Sequence, residues 1–366
     1  MSNSHRPDYF LMILIGILVV FGLIVLSSAS VVMSYQKFND NYYMLKHQII
    51  YGLLPGLFLF FLTLKINYRK WEKISLILLV FNVLLLIAVY LPGIGESFDK
   101  AKSWIKIGVI VFQPSELIKL TLILYLAAWL GKREDNIKTL EHGLIPFLGI
   151  VGLITGLVIL QPDLGTASII VFISLVIYFL AKAPKRDIIF LFLIVLIGGF
   201  LAIKMAPYRF SRIEMFLNPG LDPQGKGYQI NQAFLAIGSG GIFGRGLGLS
   251  TQKFQYLPEP AGDSVFAIMA EELGFIFSAA LVTLFFLLAQ RGFKIAKRCD
   301  DNFGKLTAYG ITSLFVFQAF INICTMVGLM PLTGVPLPFI SYGGSALMTF
   351  LAGAGILLNI SKYTRL

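Results

Sequence analysis

Carboxylates embedded in apolar surroundings are the residues of this chain best placed to do chemistry, and Asp263 is foremost among them. It follows Leu257-Pro258-Glu259-Pro260-Ala261-Gly262 and opens a long apolar run. An acid at that place can cap a helix, for which Asp is among the best residues. It can equally take a proton from a hydroxyl, provided a substrate partly desolvates it, because a helix amino-terminus otherwise lowers its pKa and keeps it ionised. Glu116 and Lys119 are three residues apart within another apolar run, so they share a helix face and can neutralise one another. Two readings stand for this pair: an ion pair holding helices together, or the border of a polar cavity with Glu116 about 6 Å below the helix end. Glu271 and Glu272 fall roughly 12 Å into the run that Asp263 opens. One can pack against a helix while the other faces a cavity, and the sequence does not say which. Ionisable residues inside apolar spans are costly and point to function.

Positive charge gathers in and beside the Gly- and Pro-rich stretch 206–262: Lys204, Arg209, Arg212, Lys226, Arg245 and Lys253. Such a set implies an anionic ligand, and a connection of this length is usually functional. Within it, the run from Gly238 to Gly248 resembles a phosphate cradle but lacks the Gly-Lys-Ser/Thr ending of a nucleotide loop. Its glycines suit close backbone approach, including approach to a lipid-linked phosphate. Asp163, in Gln161-Pro162-Asp163-Leu164-Gly165-Thr166, reads as turn chemistry. Trp104 reads as an interfacial anchor. The stretch from Pro336 to Ser345, which contains Ser341, reads as a rigid re-entrant turn. His5, His47 and His142 are too scattered for a metal site, and Cys299 and Cys324 form no disulfide framework. The metal-ligand set is therefore left open.

The elements that must position these residues are membrane helices. The chain has 366 residues, 57% hydrophobic and 13% charged, with mean hydropathy +0.81. A soluble domain of this size needs far more polar surface, which excludes a soluble enzyme on a single anchor. The apolar runs are continuous rather than alternating, which excludes an outer-membrane barrel. They predict ten spans, at 9–32, 46–64, 74–92, 112–130, 142–160, 166–182, 188–205, 263–290, 305–328 and 342–360. The first is too long for a cleaved signal and reads as a span. The formal net charge of +11 would suggest nucleic acid in a soluble protein. Here the basic residues concentrate in short loops, such as Lys65, Arg69, Lys70 and Lys73, or Arg291, Lys294, Lys297 and Arg298. Together with Lys362 and Arg365 they predict cytoplasmic termini and an external 206–262 loop between the seventh and eighth spans. The expectation is an all-α polytopic protein, a single membrane domain over 1–366 with no nucleic-acid partner.

Six ordered motifs carry a resemblance over most of the chain. They are Ser103-Trp104-Ile105, Phe112-Gln113-Pro114-Ser115-Glu116-Leu117-Ile118-Lys119, Gln161 to Thr166, Ala236-Ile237-Gly238-Ser239-Gly240-Gly241, Leu257 through Asp263 to Glu271-Glu272-Leu273-Gly274, and Pro338 to Ser345. Together they resemble the SEDS family of bacterial peptidoglycan glycosyltransferases, whose members include FtsW and RodA. The stretch Gly246 to Lys253 is closer to the division type. The resemblance implies ten helices in the plasma membrane, Asp263 as the essential external aspartate and Glu116 with Lys119 as the buried charged pair. It implies polymerisation of lipid II onto an undecaprenyl-pyrophosphate-linked glycan by a single inverting displacement. Asp263 is then the base, and Arg209, Arg212, Arg245, Lys253 or a divalent cation (Mg2+ or Mn2+) stabilises the leaving group. Trp104, Glu116, Lys119, Glu271 and Ser341 are expected to line the substrate cavity. A class B penicillin-binding protein and other divisome or elongasome proteins are the implied partners. One departure stands out: family members commonly carry Thr before this Asp and an aromatic after it, whereas Gly262 and Ser264 flank it here. A lipid II flippase using Glu116, Lys119 and Glu271, an elongation-type polymerase, and a non-catalytic scaffold for a transpeptidase remain as alternatives.

Overall fold

The computed structural model describes residues 5–364 apart from positions 94, 99, 100, 109, 134, 135, 205, 206, 219, 220, 223, 224 and 226. Lys226, Arg365 and the side chain of Arg209 lie outside the described residues. In chain order the elements are α1 (Tyr9–Ala29), α2 (Val31–Phe38), α3 (Tyr43–Lys65) and α4 (Arg69–Ala88), then strands β1 (Gly95–Phe98), β2 (Ala101–Ile107) and β3 (Ile110–Phe112). They continue with α5 (Pro114–Gly131), α6 (Leu140–Leu160), α7 (Leu164–Leu180), α8 (Lys185–Lys204) and α9 (Pro207–Leu217). The last are α10 (Tyr228–Gly240), α11 (Val265–Lys297), α12 (Asn302–Met326) and α13 (Gly344–Ser361). Nine of the described helices are long and apolar enough to cross a membrane, and the 17-residue apolar α7 makes the tenth, as the hydropathy predicts.

The helices sort into an inner and an outer set. Of the spanning windows of α5, α12 and α13, 78%, 72% and 89% of residues are buried, against 22% for α4 and 11% for α8. The outer helices are apolar all round, and Phe58, Ile77, Phe200 and Phe286 point away from the bundle. Lipid tails solvate such side chains at no cost, so close packing rather than apolar burial holds the helices together. At the contact of α3 with α13, Thr63 Oγ1 donates to the Ala352 carbonyl at 3.1 Å. A Cβ on Gly355 there would come within 2.0 Å of Thr63 Oγ1. The amide of His5 donates to the Lys362 carbonyl at 2.7 Å. Both ends of the described chain thus lie at one end of the bundle, as an even number of crossings requires.

The structure adds one element to the all-α expectation and corrects two bounds. Between α4 and α5 lies a three-stranded antiparallel sheet in the order β1-β2-β3, with Trp104 opposite Glu96. The stretch 206–262 is not a continuous loop, since it contains α9 and α10, and α10 packs on α11. The eighth span runs over 265–297 rather than 263–290, and it is broken at Gly274 (φ 77°, ψ −170°).

Candidate active site

The break at Gly274 explains the glycine-rich run. A continuous helix would bond the Phe275 and Ile276 amides to the Glu271 and Glu272 carbonyls, and the turned backbone at Gly274 separates them. In a membrane those four groups need other partners. The run 241–246 supplies all of them. Arg245 and Gly246 amides donate to the Glu271 and Glu272 carbonyls at 3.0 and 2.9 Å, and the Phe275 and Ile276 amides donate to the Gly241 and Ile242 carbonyls at 2.9 and 3.3 Å. Only glycine fits this crossing. A Cβ at Gly244 (φ 80°) would lie 2.2 Å from the Glu272 carbonyl oxygen, and one at Gly240 would lie 2.0 Å from that of Ala270. Close backbone approach was expected of these glycines; the backbone approached is that of a broken helix.

Glu271 and Glu272 pin the next stretch. Glu271 accepts from Ser250 Oγ at 2.5 Å, from the Thr251 amide and hydroxyl at 3.0 and 2.9 Å, and faces Arg245 at 3.3 Å. Glu272 accepts from Lys253 Nζ at 2.8 Å and from Ser28 Oγ of α1 at 2.7 Å. Both carboxylates are buried. Lys253 also donates to Ser28 Oγ and the Gly248 carbonyl, which uses its donors and leaves its side chain 4% exposed. Lys253 therefore anchors this loop in the described structure, and both glutamates are engaged by internal partners. Arg245 remains 40% exposed while also holding Thr251 Oγ1 at 3.0 Å.

Asp263 adjoins the amino-terminal end of α11, at the other end of its 265–273 half from Gly274. Its side chain bonds no helix amide; the residue at the cap position is Ser264, which makes no side-chain cap bond. The cap reading therefore does not hold, and the carboxylate is free for other work. Gln229 of α10 donates to its two oxygens at 3.4 and 3.5 Å, and Ser264 Oγ lies at 3.4 Å. A Cβ on Gly334 would sit 3.8 Å from Oδ2, so the 331–337 segment walls the other side. Burial raises this carboxyl from its ordinary 3.8 to about 6, the charge of Glu259 adds to the rise, and the Gln229 hydrogen bond and Arg212 oppose it. The lowering expected from the helix end is thus outweighed by burial. A partly buried carboxylate whose pKa is raised to about 6 has the proton affinity of a general base.

The turn carrying Asp263 is tied from several sides. Ser341 Oγ donates to the Gly262 carbonyl at 2.7 Å and accepts from the Leu337 amide at 2.8 Å, while the Tyr342 amide donates to the Ala261 carbonyl. Ser341 is therefore a brace beneath Asp263 and is itself buried. Arg212 of α9, an exposed cation whose charge acts on Asp263, donates to the Leu332 carbonyl at 3.2 Å. Trp104 is half-buried on β2, whose Ser103 and Ile105 neighbours are buried. Asp163 caps α7 by accepting from the Thr166 amide at 2.9 Å, as its turn setting predicts.

Glu116 and Lys119 form a 2.8 Å ion pair with side chains 3% and 0% exposed. Lys119 Nζ also donates to Gln318 Oε1 at 2.8 Å, and Gln318 Nε2 donates to the Pro336 carbonyl at 3.0 Å. One turn further along α12, Asn322 Nδ2 donates to the Asp263 and Val335 carbonyls, both at 2.8 Å. Sequence reasoning passed over Gln229, Gln318 and Asn322. The available signal was a pair of amides four apart within an apolar run, which places both on one helix face. Among the described residues no group of three or more His, Cys, Asp and Glu side chains could hold a metal.

Comparison with known proteins agrees with this arrangement. The cell cycle protein family model for FtsW, RodA and SpoVE matches residues 9–366. Stage V sporulation protein E of Bacillus subtilis is 42% identical over 100% of this chain and 99% of its own length. A probable peptidoglycan glycosyltransferase FtsW of Geobacter sp. strain M18 is 38% identical over 100% and 99%. Among solved structures, a chain from a study of polymerization and crosslinking by a peptidoglycan synthase complex superposes with TM-score 0.79, at 29% identity and 97% coverage of both chains. The rod shape determining protein RodA of Thermus thermophilus does so at 0.70 and 28% identity, covering 97% of this chain and 96% of that one. With ten apolar helices, a broken eighth span and matches over the whole length, the chain is a multi-pass membrane protein that belongs to the FtsW/RodA/SpoVE family.

Proposed function

We propose that this chain is a peptidoglycan glycosyltransferase of the bacterial plasma membrane that polymerises lipid II for septal wall synthesis, with Asp263 as general base. The observation that carries the reading is the Asp263 carboxylate: half-buried, not spent on capping, raised to about 6 and overlooked by a cation. In this reading the 4-hydroxyl oxygen of the acceptor sugar attacks the anomeric carbon of the donor. The bond from that carbon to the undecaprenyl pyrophosphate oxygen breaks, and the hydroxyl proton passes to Asp263. One displacement inverts the anomeric centre. A pyrophosphate leaves without needing a proton, so the paired carboxylates of glycoside hydrolases are not required.

Arg212 on α9 is the cation proposed to face the leaving group, and Arg209 and Arg245 of the same segment are proposed to contribute positive charge. A divalent cation (Mg2+ or Mn2+) would neutralise the same charge. Glu116, Lys119, Trp104 and Ser341 shape the cavity from behind. The topology proposed has both termini in the cytoplasm, the 206–262 segment outside and a single membrane domain over 1–366. The chain is proposed to work with a class B penicillin-binding protein, in keeping with the joint polymerization and crosslinking named for the superposing complex. The flippase path is less favoured, because Glu116, Lys119 and Glu271 are all engaged in internal pairs. The test is to incubate the purified chain with labelled lipid II, alone and with its transpeptidase. Long glycan strands are expected in at least one reaction, and none in either removes the enzymatic reading.

A further inference from the structure

We infer that Asn322 is a positioning residue for Asp263, and that Gln318, one turn away on α12, couples it to the buried Glu116–Lys119 pair. The inference rests on Asp263 being the base. Asn322 is 1% exposed and spends both amide protons on two carbonyls that are distant in sequence, Asp263 and Val335. Its own Oδ1 has no hydrogen-bond partner among the described residues. What the amide secures is the spacing between the Asp263 turn and the extended 331–337 segment that walls the carboxylate.

That segment has no regular structure, so its carbonyls must find donors within the bundle. Asn322 serves Val335, and Gln318 serves Pro336. Gln318 is in turn fixed by Lys119, which is fixed by Glu116. Hydrogen bonds run from the ion pair through Gln318 to the Pro336 carbonyl, the Val335–Pro336 peptide carries the link on, and Asn322 joins Val335 to the backbone of Asp263, so the pair acts on the base through the two amides and this peptide without touching substrate.

The experiment uses the full-length chain in detergent with labelled lipid II. Asn322→Leu removes both donors at similar volume and is expected to lower kcat about 100-fold, the usual cost of misplacing a reacting group by about 1 Å. KM should stay within about threefold. Gln318→Leu should lower kcat roughly tenfold, and the double variant should be no worse than Asn322→Leu, because both act through one chain of contacts. A second readout is independent of turnover: the infrared band of the protonated carboxyl, identified by its absence in Asp263→Asn. Its titration midpoint, near 6 in the parent, should fall towards the ordinary carboxylate range in Asn322→Leu as the turn loosens into water. Unchanged kcat and midpoint in Asn322→Leu would overturn the inference, as would losses that merely add. If Asn322→Leu does not fold, Asn322→Gln, which keeps the donors but misplaces them, decides by the same two readouts. A parent that makes no polymer removes the enzymatic reading, while the infrared midpoints still judge the positioning.

Discussion

Replacing Asp263 by asparagine should abolish turnover and make the protein more stable. The folded-state pKa is raised, from 3.8 to about 6, so folding favours the protonated carboxyl. Its contribution to stability is complete below pH 3.8 and is lost as the pH rises through 6. With each pKa unit equivalent to 1.36 kcal/mol, ionised Asp263 burdens the fold at pH 7.5 by up to about 3 kcal/mol, less whatever water screens at this half-exposed site. The amide variant has nothing to ionise and keeps an oxygen for the Gln229 amide. Its apparent unfolding temperature should exceed that of the parent by a few degrees at pH 7.5, with the gap closing at pH 4. Polymerisation of lipid II should fall at least about 100-fold, the usual contribution of a general base. In the parent, the rate should be half-maximal near pH 6 and roughly a tenth of maximal at pH 5. A variant that still polymerises, or one whose stability difference from the parent is the same at both pH values, refutes the reasoning.

Arg212→Gln should raise KM for lipid II and move the acid limb of the pH profile upward, since Arg212 holds the Asp263 pKa down; initial rates across pH 5 to 8 check both. Gly240→Ala should destabilise by at least about 2 kcal/mol, because its Cβ would strike the Ala270 carbonyl at 2.0 Å. Gly238→Ala, with nothing within 4 Å, should be neutral in the same thermal unfolding assay. Lys253→Met strands Glu272 in a buried site and should cost about 3 to 5 kcal/mol. Adding Glu272→Gln should recover part of that loss, read as resistance of the 245–253 loop to limited proteolysis.

The ten spans were legible because hydropathy over about 20 residues is a strong signal. Asp263, Glu116 and Lys119 were legible because carboxylates and ammonium groups are rare in apolar runs. The break at Gly274 was not, since glycine is common in membrane helices and the run is apolar on both sides of it. Its marker was the glycine cluster thirty residues upstream, whose partner only the fold discloses. Lys253 and Arg245 looked like ligands for an external anion because their counter-charges, Glu272 and Glu271, lie about twenty residues away in sequence. The sheet at 95–112 escaped notice because its strands are three to seven residues long. Gln318 and Asn322 carry no charge, so the rule that draws attention to ionisable residues in membranes passed over them.

The outer part of the eighth span, Val265–Leu273, is a rod of nine residues and about 13 Å. It ends at Gly274, where the 241–246 strip is laced to it, and its other end adjoins Asp263. The strip fixes the rod at the Gly274 break by four backbone bonds, and Ser341, Tyr342 and Asn322 fix the turn at its other end. The aspartate is thus clamped from both ends of one short helix, and its place is set by contacts far apart in the chain.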